Sequence, residues 1–126
     1  MASESITQEF LESALKTPIT KFTFNPGSSL GDGYTCAIYS VDVWPTGLEN
    51  EEPLHLIVKC FPTNPGRQQL LEEGGMFPIE LGMYEEVIPT LRNFLQEKNA
   101  TDIQLPFARF FAGKQTPLAN GNLLFE

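Results

Sequence analysis

Basic residues are scarce in this chain: eight Lys and Arg stand against sixteen Asp and Glu over 126 residues, a formal net charge of −8. The eight are scattered, whereas nucleic acids and anionic membrane surfaces need concentrated Lys and Arg, so neither is expected as a partner. Histidine occurs once, at His55, and cysteine twice, at Cys36 and Cys60. Far apart in sequence, the three offer no metal-ligand spacing. Ser28 and Ser29 have no histidine nearby and no nucleophile-elbow context, which argues against a serine hydrolase. Long apolar runs are missing as well. The N-terminal stretch MASESITQEFLESALK is interrupted by Glu4, Glu9 and Glu12, unlike a secretory signal, and no later stretch approaches the length of a membrane span. Without an export signal, the cysteines are expected as free thiols in a reducing, cytoplasmic setting.

What is present is the composition of a folded protein, 41% hydrophobic and 19% charged, long enough for one domain over residues 1–126. Ile6, Phe10, Leu11, Ala14 and Leu15 recur at helical spacing over 6–16; Ser5 and Gln8 suggest a capping box, and Pro18 ends the helix. Lys21 to Asn25 alternates polar and apolar residues as a strand does. Tyr34 to Trp44, rich in aromatic and β-branched residues, predicts a second strand, and Leu54 to Phe61 (LHLIVKCF) a third. Between these last two, Pro45 to Pro53 reads as a solvated hairpin connection. Arg67 to Glu73 predicts a short helical segment stopped by Gly74 and Gly75. In the longest periodic stretch, Phe77 to Lys98, one apolar face collects Phe77, Leu81, Tyr84, Ile88, Leu91 and Leu95. Pro78 suits the first helical position, while Pro89 should kink or divide the helix. Pro106 to Ala112 and Asn122 to Phe125 predict two further strands around an Asn120-Gly121 hairpin turn. The expected fold is α+β: a roughly five-stranded antiparallel sheet with one long kinked helix packed on it and a helix at the N-terminus.

Lys59 stands out chemically. An ammonium group in the middle of LHLIVKCF is costly to bury without a partner, although strand alternation also allows a plain outward-facing lysine, with Val58 and Cys60 pointing the other way. Glu80 lies in the first turn predicted for the long helix, where the helix dipole alone would favour a glutamate. Taken in order, though, Gly31-Asp32-Gly33, Lys59 and Glu80 reproduce the parts list of a kinase-type phosphoryl-transfer site. Such a site needs a glycine-rich turn whose backbone covers the phosphates, a strand lysine that holds them, and a helix glutamate that orients the lysine. Other clusters read more simply. Glu49, Glu51 and Glu52, like Glu72 and Glu73, form solvated faces, and Phe107, Phe110 and Phe111 suit a core or lobe interface better than a base-stacking platform.

GDGYTCAIYSVDV, LIVKCFP, FPIELGMY followed by VIPTL, and the final NLLFE together resemble the ecdysteroid kinase-like family, small-molecule kinases related to choline and aminoglycoside kinases. The resemblance spans residues 28–126. It implies a protein-kinase-like N-terminal lobe that binds ATP. Gly31, Asp32, Gly33, Tyr34 and Thr35 would form the phosphate loop, Lys59 would contact phosphate, and Glu80 would pair with Lys59. Ile57 would face the adenine, and Leu123 to Glu126 would approach the hinge behind it. The family more often has Asn where Gly33 stands and Ser where Cys36 stands. In its members a helical lobe follows, carrying a His-Gly-Asp loop and an Asp that binds Mg²⁺. Here His55 precedes Leu56, and Asp32, Asp42 and Asp102 lie in no such motif. The chain is therefore expected to be the N-terminal lobe, truncated before the catalytic lobe: nucleotide-binding but inactive alone, with a small-molecule hydroxyl as acceptor in the full-length form. The surface that would meet the second lobe, including Phe125 and part of Phe107 to Phe111, is expected to be exposed and apolar. The alternative is a non-catalytic interaction or small-ligand-binding module with the same fold.

Overall fold

The computed structural model describes residues 2–27, 36–114 and 122–125, the last four as backbone. A 3₁₀ turn, Ala2–Ser5, leads into α1, Gln8–Leu15, followed by strands β1, Ile19–Pro26, β2, Ala37–Pro45, and β3, Leu54–Cys60. Helix α2, Pro65–Gly74, precedes α3, Met76–Gly82, which passes through a π-helical turn, Met83–Val87, into α4, Ile88–Glu97. Strands β4, Phe110–Lys114, and β5, Asn122–Phe125, complete an antiparallel sheet of order β1-β2-β3-β5-β4. The α+β class expected from the alternation of periods is the class observed.

Strand alternation gives the sheet two unlike faces. On β3, Leu56, Val58 and Cys60 are buried, while His55, Ile57 and Lys59 between them are not. The buried set joins Val41 and Val43 of β2, and Ile6, Leu11, Ala14 and Ile19 close over them as the main core. The layer on this face is thus the N-terminal helix, not the long one. Its start also differs from the expected capping box. Thr7 is the N-cap, its hydroxyl accepting from the Phe10 N–H at 3.1 Å. Ser5 belongs to the preceding 3₁₀ turn and hydrogen-bonds instead to Cys60 Sγ at 3.7 Å. Gln8 is drawn to Glu12 and to the Ile19 carbonyl, so the side chain a box would use is engaged elsewhere.

Among the described residues, the opposite face is covered at one corner. There Phe61, buried at the end of β3, meets Phe77 of α3 edge-to-face at 5.7 Å between ring centroids, and Cys36 and Leu71 complete the cluster. Helix α2 reaches this corner through an Asn64 N-cap and ends at Gly75, whose φ of 60° is the left-handed conformation that glycine adopts without strain. The helical run is continuous through Pro89. Because Pro89 has no N–H to donate, the turn before it widens; the Ile88 N–H bonds to the Met83 carbonyl, and the Thr90 hydroxyl donates to the Glu86 carbonyl at 2.7 Å. Beyond Ile88 the apolar face is not covered as its periodicity suggests: Leu91 is exposed. β4 begins at Phe110 rather than Pro106, since the Phe107 N–H turns back to the Leu105 carbonyl at 2.8 Å and removes those residues from pairing. Of the apolar surface expected there, Phe107 is exposed, whereas Phe110 and Phe111 pack against the two cores; the side chain of Phe125 lies outside the described residues. So does the Asn120-Gly121 turn.

Candidate functional site

Lys59 Nζ donates to Glu80 Oε2 at 2.6 Å, and the two side chains are 26% and 31% exposed. The contact follows from matched periodicities. Lys59 near the end of β3 and Phe61 just beyond it are two apart and share a face; Phe77 and Glu80 are three apart on a helix and share a face. Seating Phe77 on Phe61 therefore turns Glu80 toward Lys59. Glu80 also lies deeper in its helix than the sequence predicts. Helix α3 starts at Met76 and has no acidic residue in its first turn, so an N-terminal dipole effect, which fades within that turn, does not account for it. Pro78 is the third helical residue, not the first; its missing N–H is still among those a helix start leaves unpaired.

Ile57 lies on the Lys59 face two residues earlier and is 39% exposed. The β3–β5 register sets Phe125 opposite Ile57 and Leu123 opposite Lys59, bringing the backbone of the NLLF segment beside the same row. Gly31, Asp32, Gly33, Tyr34, Thr35 and Glu126 lie outside the described residues. The anchors of the glycine-rich segment are described, one beside Lys59 and the other in the Phe61 cluster. At one end, the Gly27 N–H donates to the Ile38 carbonyl at 2.8 Å, and Ile38 is the cross-strand neighbour of Lys59. A Cβ at Gly27 would come within 3.1 Å of the Ile38 side chain and 3.2 Å of the Ser40 nitrogen, so the close approach calls for glycine. At the other end, Cys36 is buried in the cluster with Phe61 and Phe77. The segment between them thus begins and ends beside the strand row that carries the ion pair.

The sequence profile of the ecdysteroid kinase-like family matches residues 30–126. The chain belongs to the ecdysteroid kinase-like family. No curated protein and no solved structure matches it. In this ecdysteroid kinase-like chain the matched region includes Lys59, Glu80, Ile57 and Gly31 to Thr35.

One further pair on the same sheet face was not apparent in the sequence. His55 and Asp42 are cross-strand partners with Nδ1 and Oδ1 at 2.6 Å. Only the β2–β3 register reveals it; thirteen residues of separation carry no periodic signal. Its exposure, with the His55 side chain 73% accessible, fits a pair that supports the sheet. Among the described residues, no group of three or more His, Cys, Asp or Glu side chains could hold a metal ion. Cys36 and Cys60 are both buried, and no disulfide joins them. Burial pushes the Cys60 thiol above its usual range, partly opposed by the Ser5 hydrogen bond, and leaves it a poor nucleophile. Among the described residues no helix is long and apolar enough to cross a membrane.

Proposed function

We propose that this chain is the nucleotide-binding small lobe of a kinase that transfers the γ-phosphoryl group of ATP to a hydroxyl of a small molecule, a steroid of the kind the family name indicates. The observation that carries the reading is the Lys59–Glu80 contact at 2.6 Å on the sheet face that also presents Ile57. ATP supplies an electrophilic phosphoryl group and a polyanion. The side chains suit such a ligand: an ammonium group held by one carboxylate keeps N–H donors for phosphate oxygens, and an exposed isoleucine one row away offers an apolar seat for a purine.

Each residue then has a definite part. Lys59 holds the phosphates, and Glu80 sets its position so that no reorientation is needed when nucleotide arrives. Backbone N–H groups of Gly31, Asp32, Gly33, Tyr34 and Thr35 cover the phosphates, with Gly27 and Cys36 fixing the two ends of the loop. Ile57 packs on the adenine, and Glu126 approaches its edge from the end of β5. Mg²⁺ ligands and a base for the acceptor hydroxyl belong to elements outside these residues, so the chain by itself binds nucleotide without turning it over. The reading extends to a cytoplasmic setting, where ATP is abundant and the two buried thiols stay reduced.

Titration with a fluorescent ATP analogue tests it. Lys59→Ala is expected to weaken binding at least tenfold, as loss of a charge-assisted phosphate contact should, and Glu80→Gln to weaken it less. Equal affinity in the wild type and Lys59→Ala, or no binding at millimolar nucleotide, would overturn the proposal. A second reading, a non-catalytic interaction module, is favoured by the apolar side chains left open on the helical run, among them Ile79 at 64% and Phe94 at 53% exposure. The same titration separates the two, because an interaction module does not need Lys59 for nucleotide.

A further inference from the structure

We propose that the cleft between α4 and the segment after it binds a small amphipathic anion, an oxyanion group carried on an apolar body. The cleft is open to solvent and has a volume of about 460 Å³, within the range that small-molecule sites occupy. Leu95, Ala100, Ile103 and Leu105 supply apolar wall, and among the described residues Arg92 is the one charged side chain lining it. None of the residues assigned to nucleotide takes part.

Two observations select an anion. The first is that Arg92 makes no hydrogen bond or ion pair among the described residues. Its helical neighbours three and four residues away are Ile88, Pro89, Leu95 and Gln96, none of them acidic. In a chain with twice as many acidic as basic residues, this arginine stands uncompensated beside a concavity. A guanidinium offers a planar fork of donors matched to carboxylate, sulfate or phosphate oxygens. Gln96, Thr101 and Gln104 on the same lining add uncharged polar groups.

The second is that the wall facing α4 is built rather than draped. Asn99 adopts a left-handed φ of 55°, its N–H bonds to the Gln96 carbonyl, and the Ala100 N–H reaches back to the Leu95 carbonyl at 2.9 Å. These are the two bonds of a Schellman motif, which folds the chain back on the last turn of the helix. The Ile103 N–H then donates to the Ala100 carbonyl, continuing the return. Ile103 is nevertheless 54% exposed, so apolar surface and an uncompensated cation lie together in a backbone-braced hollow. An apolar body with one anionic group satisfies both.

Two-dimensional ¹H–¹⁵N NMR of the 126-residue chain, titrated with 4-butylbenzoate and with neutral 4-butylbenzyl alcohol, tests this. Signals of Arg92, Leu95 and residues 100–105 are expected to move with 4-butylbenzoate, and the alcohol to bind roughly tenfold more weakly. Arg92→Gln should weaken 4-butylbenzoate by about the same factor and leave the alcohol unchanged. Ile103→Glu, at a position exposed enough to tolerate the change, should abolish binding of both. The proposal fails if the two probes bind alike, if Arg92→Gln keeps full affinity for the benzoate, if no signal moves at millimolar probe, or if the moving signals lie around Ile57 and Lys59 instead.

Discussion

The two faces of the sheet are stabilised in different ways. One is sealed: α1 closes over Val41, Val43, Leu56, Val58 and Cys60, and no charged side chain enters that core. The other is pinned at a single corner by Phe61, Phe77 and Leu71, and the row beyond it stays open with Lys59, Ile57 and His55. Burial on the sealed face supplies stability. The corner uses less apolar surface, but what it buries decides where Glu80 sits. A small cluster can thus position an ion pair that a larger core does not touch.

Truncating each core in turn gives the largest effects and tests this division most directly. Leu56→Ala and Phe77→Ala should each cost about 2–5 kcal/mol of unfolding free energy, measurable by urea denaturation, because both side chains are essentially inaccessible. At a temperature where both variants stay folded, only Phe77→Ala should also weaken nucleotide binding, by releasing Glu80. Equal losses of nucleotide affinity would erase the distinction between the faces. Lys59→Met is the converse case. The pair it breaks is partly exposed, so stability should change by no more than about 1 kcal/mol while nucleotide affinity falls. A variant that unfolds would reassign Lys59 to the core.

The smallest expected effect concerns acid. The Glu12 carboxylate accepts from the Gln8 side chain and from the Ile19 N–H, which hold its pKa below the usual 4.5. A carboxyl group depressed in the folded state stabilises above its unfolded value, and that contribution is lost as pH falls through the folded value. Glu12→Gln should therefore lie below the wild type in melting temperature near neutral pH and converge on it as the carboxylate of the folded protein is protonated. Parallel melting curves across that range would show that the sealed face owes nothing to this carboxylate.

Much of this was legible in the residues, and the exceptions have physical causes. The alternation of LHLIVKCF places Lys59 opposite Val58 and Cys60 because a strand has a strict period of two. Glu80 follows from its order after Lys59, since a short helical connection returns the chain to the strand it left. Thr7 was not legible as the helix cap. Ser5 and Gln8 have the right spacing, but the 3₁₀ turn shifts the helix start by two residues. Leu91 shares a sequence period with Phe77 and Ile88, yet periodicity tells which side chains align and not whether another layer reaches them. Pairs set by strand register, such as His55 with Asp42, leave no local trace at all.

The position of β5 has a mechanical consequence. It runs inside the sheet, with β3 on one side and β4 on the other, both antiparallel to it. A pull along β5 would load two hydrogen-bonded ladders in shear at once instead of peeling a single edge. One of those ladders passes through Ile57 and Lys59. Strain entering at Phe125 is thereby delivered to the row that holds the ion pair, making β5 a stiff link between whatever moves at its end and the lysine.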